Sequence, residues 1–157
     1  MRKIATLTAL AALLALVGGS MTATSALART KTRTFHVHNE TETSKDRNPC
    51  TGDKGTLTLT YNAVFHVTKI GPGQKHVTFT QTGRFQFVPN DPSKPSYTGH
   101  FTVWGGFNTN GENQTGTFTF SVKGKGSDGS TLRFHEVMHI TVGANGVKVE
   151  FDKVRCG

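Results

Sequence analysis

Cysteine is nearly absent from this 157-residue chain, which has only Cys50 and Cys156. Two thiols so far apart make a poor structural zinc site, which needs four ligands at tight spacing. Acidic residues are also scarce, 10 against 18 lysines and arginines. No basic helix, zinc-finger spacing or aromatic-plus-basic RNA-binding motif accompanies that imbalance, so nucleic acid is not an expected partner. A Gly-x-Ser-x-Gly turn, a P-loop and a dinucleotide fingerprint are all missing, which removes three common enzyme signatures. The close carboxylate pairs, Glu40/Glu42 and Glu150/Asp152, have no partner that would split their acidities as glycosidase chemistry requires. No internal repeat or low-complexity tract interrupts the chain.

What is present begins with an export signal. Arg2 and Lys3 precede an uncharged apolar stretch, Ile4 to Gly18, and Ala26-Leu27-Ala28 offers a small-residue cleavage site before Arg29. The apolar stretch is shorter than the ~20 residues a membrane-crossing helix needs. Residues 1–28 therefore read as a removable signal peptide, and the mature form has no expected membrane span. Removing 28 residues from 157 leaves 129, enough for one domain. Loss of Arg2 and Lys3 lowers the formal charge from +8 to +6. That charge reads as dispersed along the chain, which favours loose contact with anionic surfaces such as cell-wall polymers. Outside the cytosol the two cysteines are expected to form one bridge, Cys50–Cys156.

Apolar residues alternate with polar ones through most of the mature chain, the period of half-buried strands. Leu57, Leu59, Tyr61, Ala63, Phe65 and Val67 open the pattern. Val77, Phe79, Phe85 and Phe87 follow, then Phe101 with Val103, and Phe118, Phe120 with Val122. Leu132, Phe134, Met138, Ile140 and Val142 make the next face, and Val147, Val149 and Phe151 the last. Gly71-Pro72-Gly73, Asn90-Asp91-Pro92, Asn110-Gly111, Asp128-Gly129 and Asn145-Gly146 separate the runs. Asn-Gly and Asp-Gly are the strongest short hairpin signals. The expectation is an all-β antiparallel meander of about seven strands, closing into a β-barrel-like fold, with a β-sandwich as the alternative. Residues 29–49 read as a polar N-terminal arm with an edge strand near Phe35 and Val37, and residues 50–157 as the domain proper.

One catalytic motif stands out. His135-Glu136-Val137-Met138-His139 matches H-E-x-x-H, the zinc-metallopeptidase signature. Its chemistry needs a helix, where both histidines reach one zinc and the glutamate serves as general base. On a strand rising ~3.3 Å per residue the two histidines stand roughly 13 Å apart. Thr131–Val142 contains five β-branched residues and lies between two hairpin signals, so it reads as a strand in which only Glu136 and Val137 break the alternation. The longer metallopeptidase pattern is not met either, since Val142 and Asn145 stand where its glycine and third ligand belong. A zinc enzyme built on His135, Glu136 and His139 is therefore the alternative reading.

Trp104, the only tryptophan, precedes Gly105-Gly106 and lies near Tyr97 and His100. An aromatic beside open backbone suits stacking on a sugar, although core filling is tryptophan's commoner use. Seven histidines allow a surface metal site if strands bring them together, and His36 and His38 share one strand face. The threonine-rich faces read as polar filling on a wet surface. Asn48-Pro49-Cys50, Gly126-Ser127-Asp128-Gly129, the His135–His139 motif, Asn145-Gly146 and the terminal Arg155-Cys156 resemble small secreted β-rich actinobacterial proteins of unknown function. The resemblance spans most of the mature chain and implies export and a β fold. The leading expectation is thus a secreted, non-catalytic module without a cofactor, binding a small ligand or an anionic or glycan surface through Trp104, Tyr97 and His100. A structural cell-surface protein is the third reading.

Overall fold

The computed structural model describes residues 30–111, 113–144 and 146–157. The expected signal peptide lies outside the described residues, as does Asn145 of the last hairpin signal. Seven strands form: β1 (Lys31–Arg47), β2 (Lys54–Gly71), β3 (Gln74–Pro89), β4 (Tyr97–Asn110), β5 (Asn113–Gly126), β6 (Thr131–Gly143) and β7 (Gly146–Cys156). Each pairs antiparallel with its neighbour in sequence, in one continuous order from β1 to β7. The all-β meander read from the alternation is the fold observed. Gly111 and Gly129 take φ of 61° and 85°, the left-handed backbone that Asn-Gly and Asp-Gly turns require.

The alternation also sets the faces. Tyr61, Val77, Phe79, Phe85, Phe101 and Met138 lie among the buried inner-face residues that form the core. Val77 and Met138 are fully enclosed. A flat sheet would leave both faces wet, so the sheet must curl until its inner face covers itself. The Phe79 and Phe118 rings, on strands separated by β4, meet at 5.8 Å across the concavity. Room for such rings comes from glycine. Gly99 and Gly124 are cross-strand partners beside Phe85, whose Cζ lies 2.6 Å from where a Gly124 Cβ would stand. A Cβ on Gly99 would collide with the Lys123 carbonyl oxygen. Gly99→Ala must push β4 from β5 and is expected to cost about 2–3 kcal/mol in denaturant unfolding. An unchanged midpoint would show that the two strands yield freely there.

The structure differs from expectation in two places. The 29–49 arm is a 17-residue edge strand, paired with β2 from Lys31↔Lys69 to Arg47↔Lys54, and not a short run around Phe35 and Val37. Its apolar signal fades because the inner positions after Val37 are Glu40, Glu42, Ser44 and Asp46, opposite Tyr61, Leu59, Leu57 and Gly55. Threonine pairs across the outer face reinforce the pairing, Thr32 with Thr68 at 2.9 Å and Thr41 with Thr60 at 3.1 Å.

The second difference is that the sheet does not close, so the expected barrel is not formed. Among the described residues no ladder joins β1 to β7, and both remain edges. Two features explain the open seam. Glu40, Glu42 and Asp46 of β1 and Asp152 of β7 point to the inner face, and carboxylates on both edges repel. Register shifts at Val37/Glu40 and at His139/Ile140 also bend the edge strands. Inward charges and bulges are the usual means by which edges avoid further pairing. At one end, however, the edges are stitched together. Cys50, in the β1–β2 turn, is disulfide-bonded to Cys156 at the end of β7. The Gly157 amide donates to the Arg133 carbonyl at 3.1 Å beside it. Asn48 shapes that turn, its Oδ1 accepting from the Cys50 amide at 2.9 Å.

Candidate functional site

Residues paired across adjacent strands share a face. Near the disulfide end of the outer face, Arg84, His100, Lys123 and Arg133 are successive partners across β3, β4, β5 and β6. All four are exposed. With strands ~4.8 Å apart, the row measures roughly 14 Å. The next row contains Thr82, Thr102, Ser121, His135 and Arg155. The row after that holds Thr80, Trp104, Thr119, Val137 and Lys153. Trp104 is 41% exposed, and its ring lies 6.2 Å from that of His135 at a 48° tilt. The face thus combines an aromatic platform, a ladder of hydroxyls and a lateral line of basic side chains.

Carboxylates are kept elsewhere. Glu40, Glu42, Asp46, Glu136 and Asp152 fall on the inner face, while Asp53, Asp91 and Asp128 belong to turns. Asp91 and Asp128 are held below the ordinary carboxylate range, chiefly by hydrogen bonds from Ser93 and Ser130. Glu150, beside the β7 bulge, is paired with Lys148 at 3.2 Å. Among the described residues of β3 to β6, no acidic side chain shares the outer face with the basic row. Unopposed cations there project a positive field into solvent.

The inner carboxylates behave differently. Glu136 is 5% exposed, and burial, then the nearby Asp152 charge and hydrogen bond, then Asp46, raise its pKa to about 7. Burial likewise raises Asp46. The Tyr61 hydroxyl donates to Glu42 Oε1 at 2.6 Å, and burial together with that carboxylate holds the phenol above its usual range. These groups line the seam between the edges and are remote from the basic face.

No family model, curated protein or solved structure matches this chain. The site must therefore be read from its own geometry. Of the three residues expected to bind ligand, the fold brings His100 and Trp104 onto one face and puts Tyr97 on the other. Tyr97 is 6% exposed, packed in the core with its hydroxyl accepting from Ser130 Oγ at 3.4 Å. The reason is parity, since an odd separation along a strand reverses the face.

The same rule separates the metallopeptidase motif. β6 is extended throughout, with His135 and His139 on its outer side and Glu136 buried on the inner side. Both nitrogens of His139 are engaged by threonines, Nδ1 with Thr117 at 2.8 Å and Nε2 with Thr115 at 3.3 Å, and its ring stacks on Phe151 at 5.7 Å. The donors that a catalytic zinc needs do not converge here, and among the described residues no group of three or more metal-ligating side chains assembles. The basic row itself escapes a linear reading, in which its members are separated by 16, 23 and 10 positions, from Arg84 to His100, Lys123 and Arg133.

Proposed function

We propose that the chain is an exported, non-catalytic module that docks through the outer face of β3–β7 onto an anionic glycan, such as a carboxylate- or phosphate-bearing cell-wall polymer. The acid-free row of Arg84, His100, Lys123 and Arg133, flanked by exposed Trp104, supports this reading best. A line of basic side chains about 14 Å long, with Arg84, Lys123 and Arg133 as its fixed charges, matches a charged polymer better than a single small anion. Trp104 can stack on the apolar face of a sugar ring, while Thr102, Thr119 and Ser121 offer hydroxyls to its edges. A small-molecule ligand has less support. The hollow lined by Phe107, Gln114, Phe118, Ile140 and Val142 has a cavity volume of only about 10 Å³, room for about one water and far below the ~300 Å³ at which ligand pockets begin. The disulfide is compatible with an extracellular location.

Quenching of the single tryptophan tests the assignment. Titration with a soluble acidic polysaccharide should give a saturable signal that weakens as salt rises, while a neutral dextran gives none. The double variant Lys123→Ala/Arg133→Ala should lower the affinity about tenfold or more, as expected for two exposed charge contacts of ~0.7 kcal/mol each. Equal affinity in the variant, or binding indifferent to salt, would reject the basic face as the docking surface.

A further inference from the structure

Four of the seven histidines are held by neighbouring side chains, His100 belongs to the basic row, and two remain. His66 Nδ1 is bonded to Thr34 Oγ1 at 2.9 Å, His76 Nδ1 to Asn108 Oδ1 at 2.7 Å, and His139 to two threonines. His135 lies against Trp104. On the open edge of the sheet, by contrast, His36 and His38 face each other, their rings parallel to within 3° and their centroids 6.1 Å apart. Both are exposed. His38 itself sits in the register break between Val37 and Glu40, next to Asn39, which has φ 51° and whose amide donates to Asn62 Oδ1 at 3.0 Å. That bulge anchors the backbone beneath the pair.

We propose that His36 and His38 form a two-ligand site for a borderline divalent transition ion, zinc or copper(II), on the edge strand. Distance sets the first condition. An imidazole nitrogen binds zinc at ~2 Å, and the ring centre lies ~1.2 Å farther on, so two rings sharing an ion have centres no more than about 6.4 Å apart. The observed 6.1 Å falls within that reach. Stacked rings turn their faces and not their nitrogens to the gap, so sharing an ion requires both exposed side chains to rotate and draw closer, which the open edge allows. His135 and His139, roughly 13 Å apart along β6, do not come close. Neutral imidazole favours zinc and copper over magnesium or calcium, which prefer oxygen donors. With no third protein ligand assembled among the described residues, the remaining coordination positions go to water or to a donor carried by another molecule. This edge site is separate from the basic face, and neither depends on the other.

Isothermal titration of the disulfide-intact protein with zinc chloride and with copper(II) chloride tests the site. One equivalent of either ion should bind, and magnesium should not. His38→Ala and His36→Ala should each weaken binding at least about tenfold, because each leaves a single imidazole. His66→Ala, which removes a neighbour already held by Thr34, should leave it unchanged. The variants' far-ultraviolet circular dichroism should match the parent, since both positions are exposed. Loss of binding on His66→Ala with retention in the double variant His36→Ala/His38→Ala would overturn the assignment, as would failure of the parent protein to bind zinc or copper.

Discussion

Replacing Cys50 and Cys156 together by serine is expected to lower unfolding stability by about 4–5 kcal/mol, the chain-entropy value for a cross-link of this span. The bond joins residues separated by 106 positions, so its loss frees almost the whole domain in the unfolded state. The folded state loses something too. β7 pairs only with β6, through a ladder broken at His139/Ile140, and its Val147 and Phe151 are 47% and 42% exposed. Without the cross-link, the Gly157–Arg133 amide contact still ties the end of β7 to β6, but no covalent bond holds it to the β1–β2 turn. Denaturant unfolding of the oxidised and serine proteins measures the difference. Hydrogen exchange should locate the earliest loss of protection in β7. A cost under about 1 kcal/mol would mean that packing, and not the covalent bond, keeps the edges together.

A second large effect is a fall in stability as pH rises from 5 to 8. In the fold Glu136 retains its proton up to about pH 7, because burial and the charges of Asp152 and Asp46 disfavour its anion. In the unfolded chain it ionises near its ordinary 4.5. Between those values the folded state binds the extra proton, so stability declines as pH climbs, and the penalty is complete above about pH 7. The shift corresponds to a loss on the order of 2–3 kcal/mol. Asp46 is also raised by burial, which gives its contribution the same sign. Glu136→Gln keeps the shape and removes the charge, so it should be more stable than the parent at pH 8 and nearly independent of pH over this range. Chemical denaturation at pH 5, 6, 7 and 8 provides the comparison. A parent protein equally stable at both ends of the range would contradict the buried, protonated Glu136.

These carboxylates also show how much could be read in advance. Parity along β6 is visible in the letters. Leu132, Phe134, Met138 and Ile140 mark the inner register, and Glu136 occupies one of its positions instead of interrupting it. The same reading would have caught the charge separation. Lys123 and Lys125 alternate with Phe120, Val122 and the glycines of β5, and Arg133 and His135 alternate with the apolar residues of β6. Judged by spacing alone, the cations look scattered. Judged by phase against the hydrophobic period, they fall on the wet face while Glu136 falls on the dry one. The β1 strand was harder to see, because its inner side carries Glu40, Glu42, Ser44 and Asp46 where strands usually carry apolar residues.

The sequence by itself determined the strands from β2 to β6, their turns and most of their inward-facing side chains, because these follow from a two-residue period and from the backbone preferences of glycine and asparagine. In β1 and β7 the register shifts at Val37/Glu40 and His139/Ile140 reset the face. The sequence also determined the cysteine pairing, since only two thiols exist. Only the tertiary structure decided that the sheet stays open along a seam of carboxylates, and that Arg84, His100, Lys123 and Arg133 form one line. Those outcomes depend on strand register and on how far the sheet curls. Both are set by contacts between distant segments, which a local pattern cannot encode.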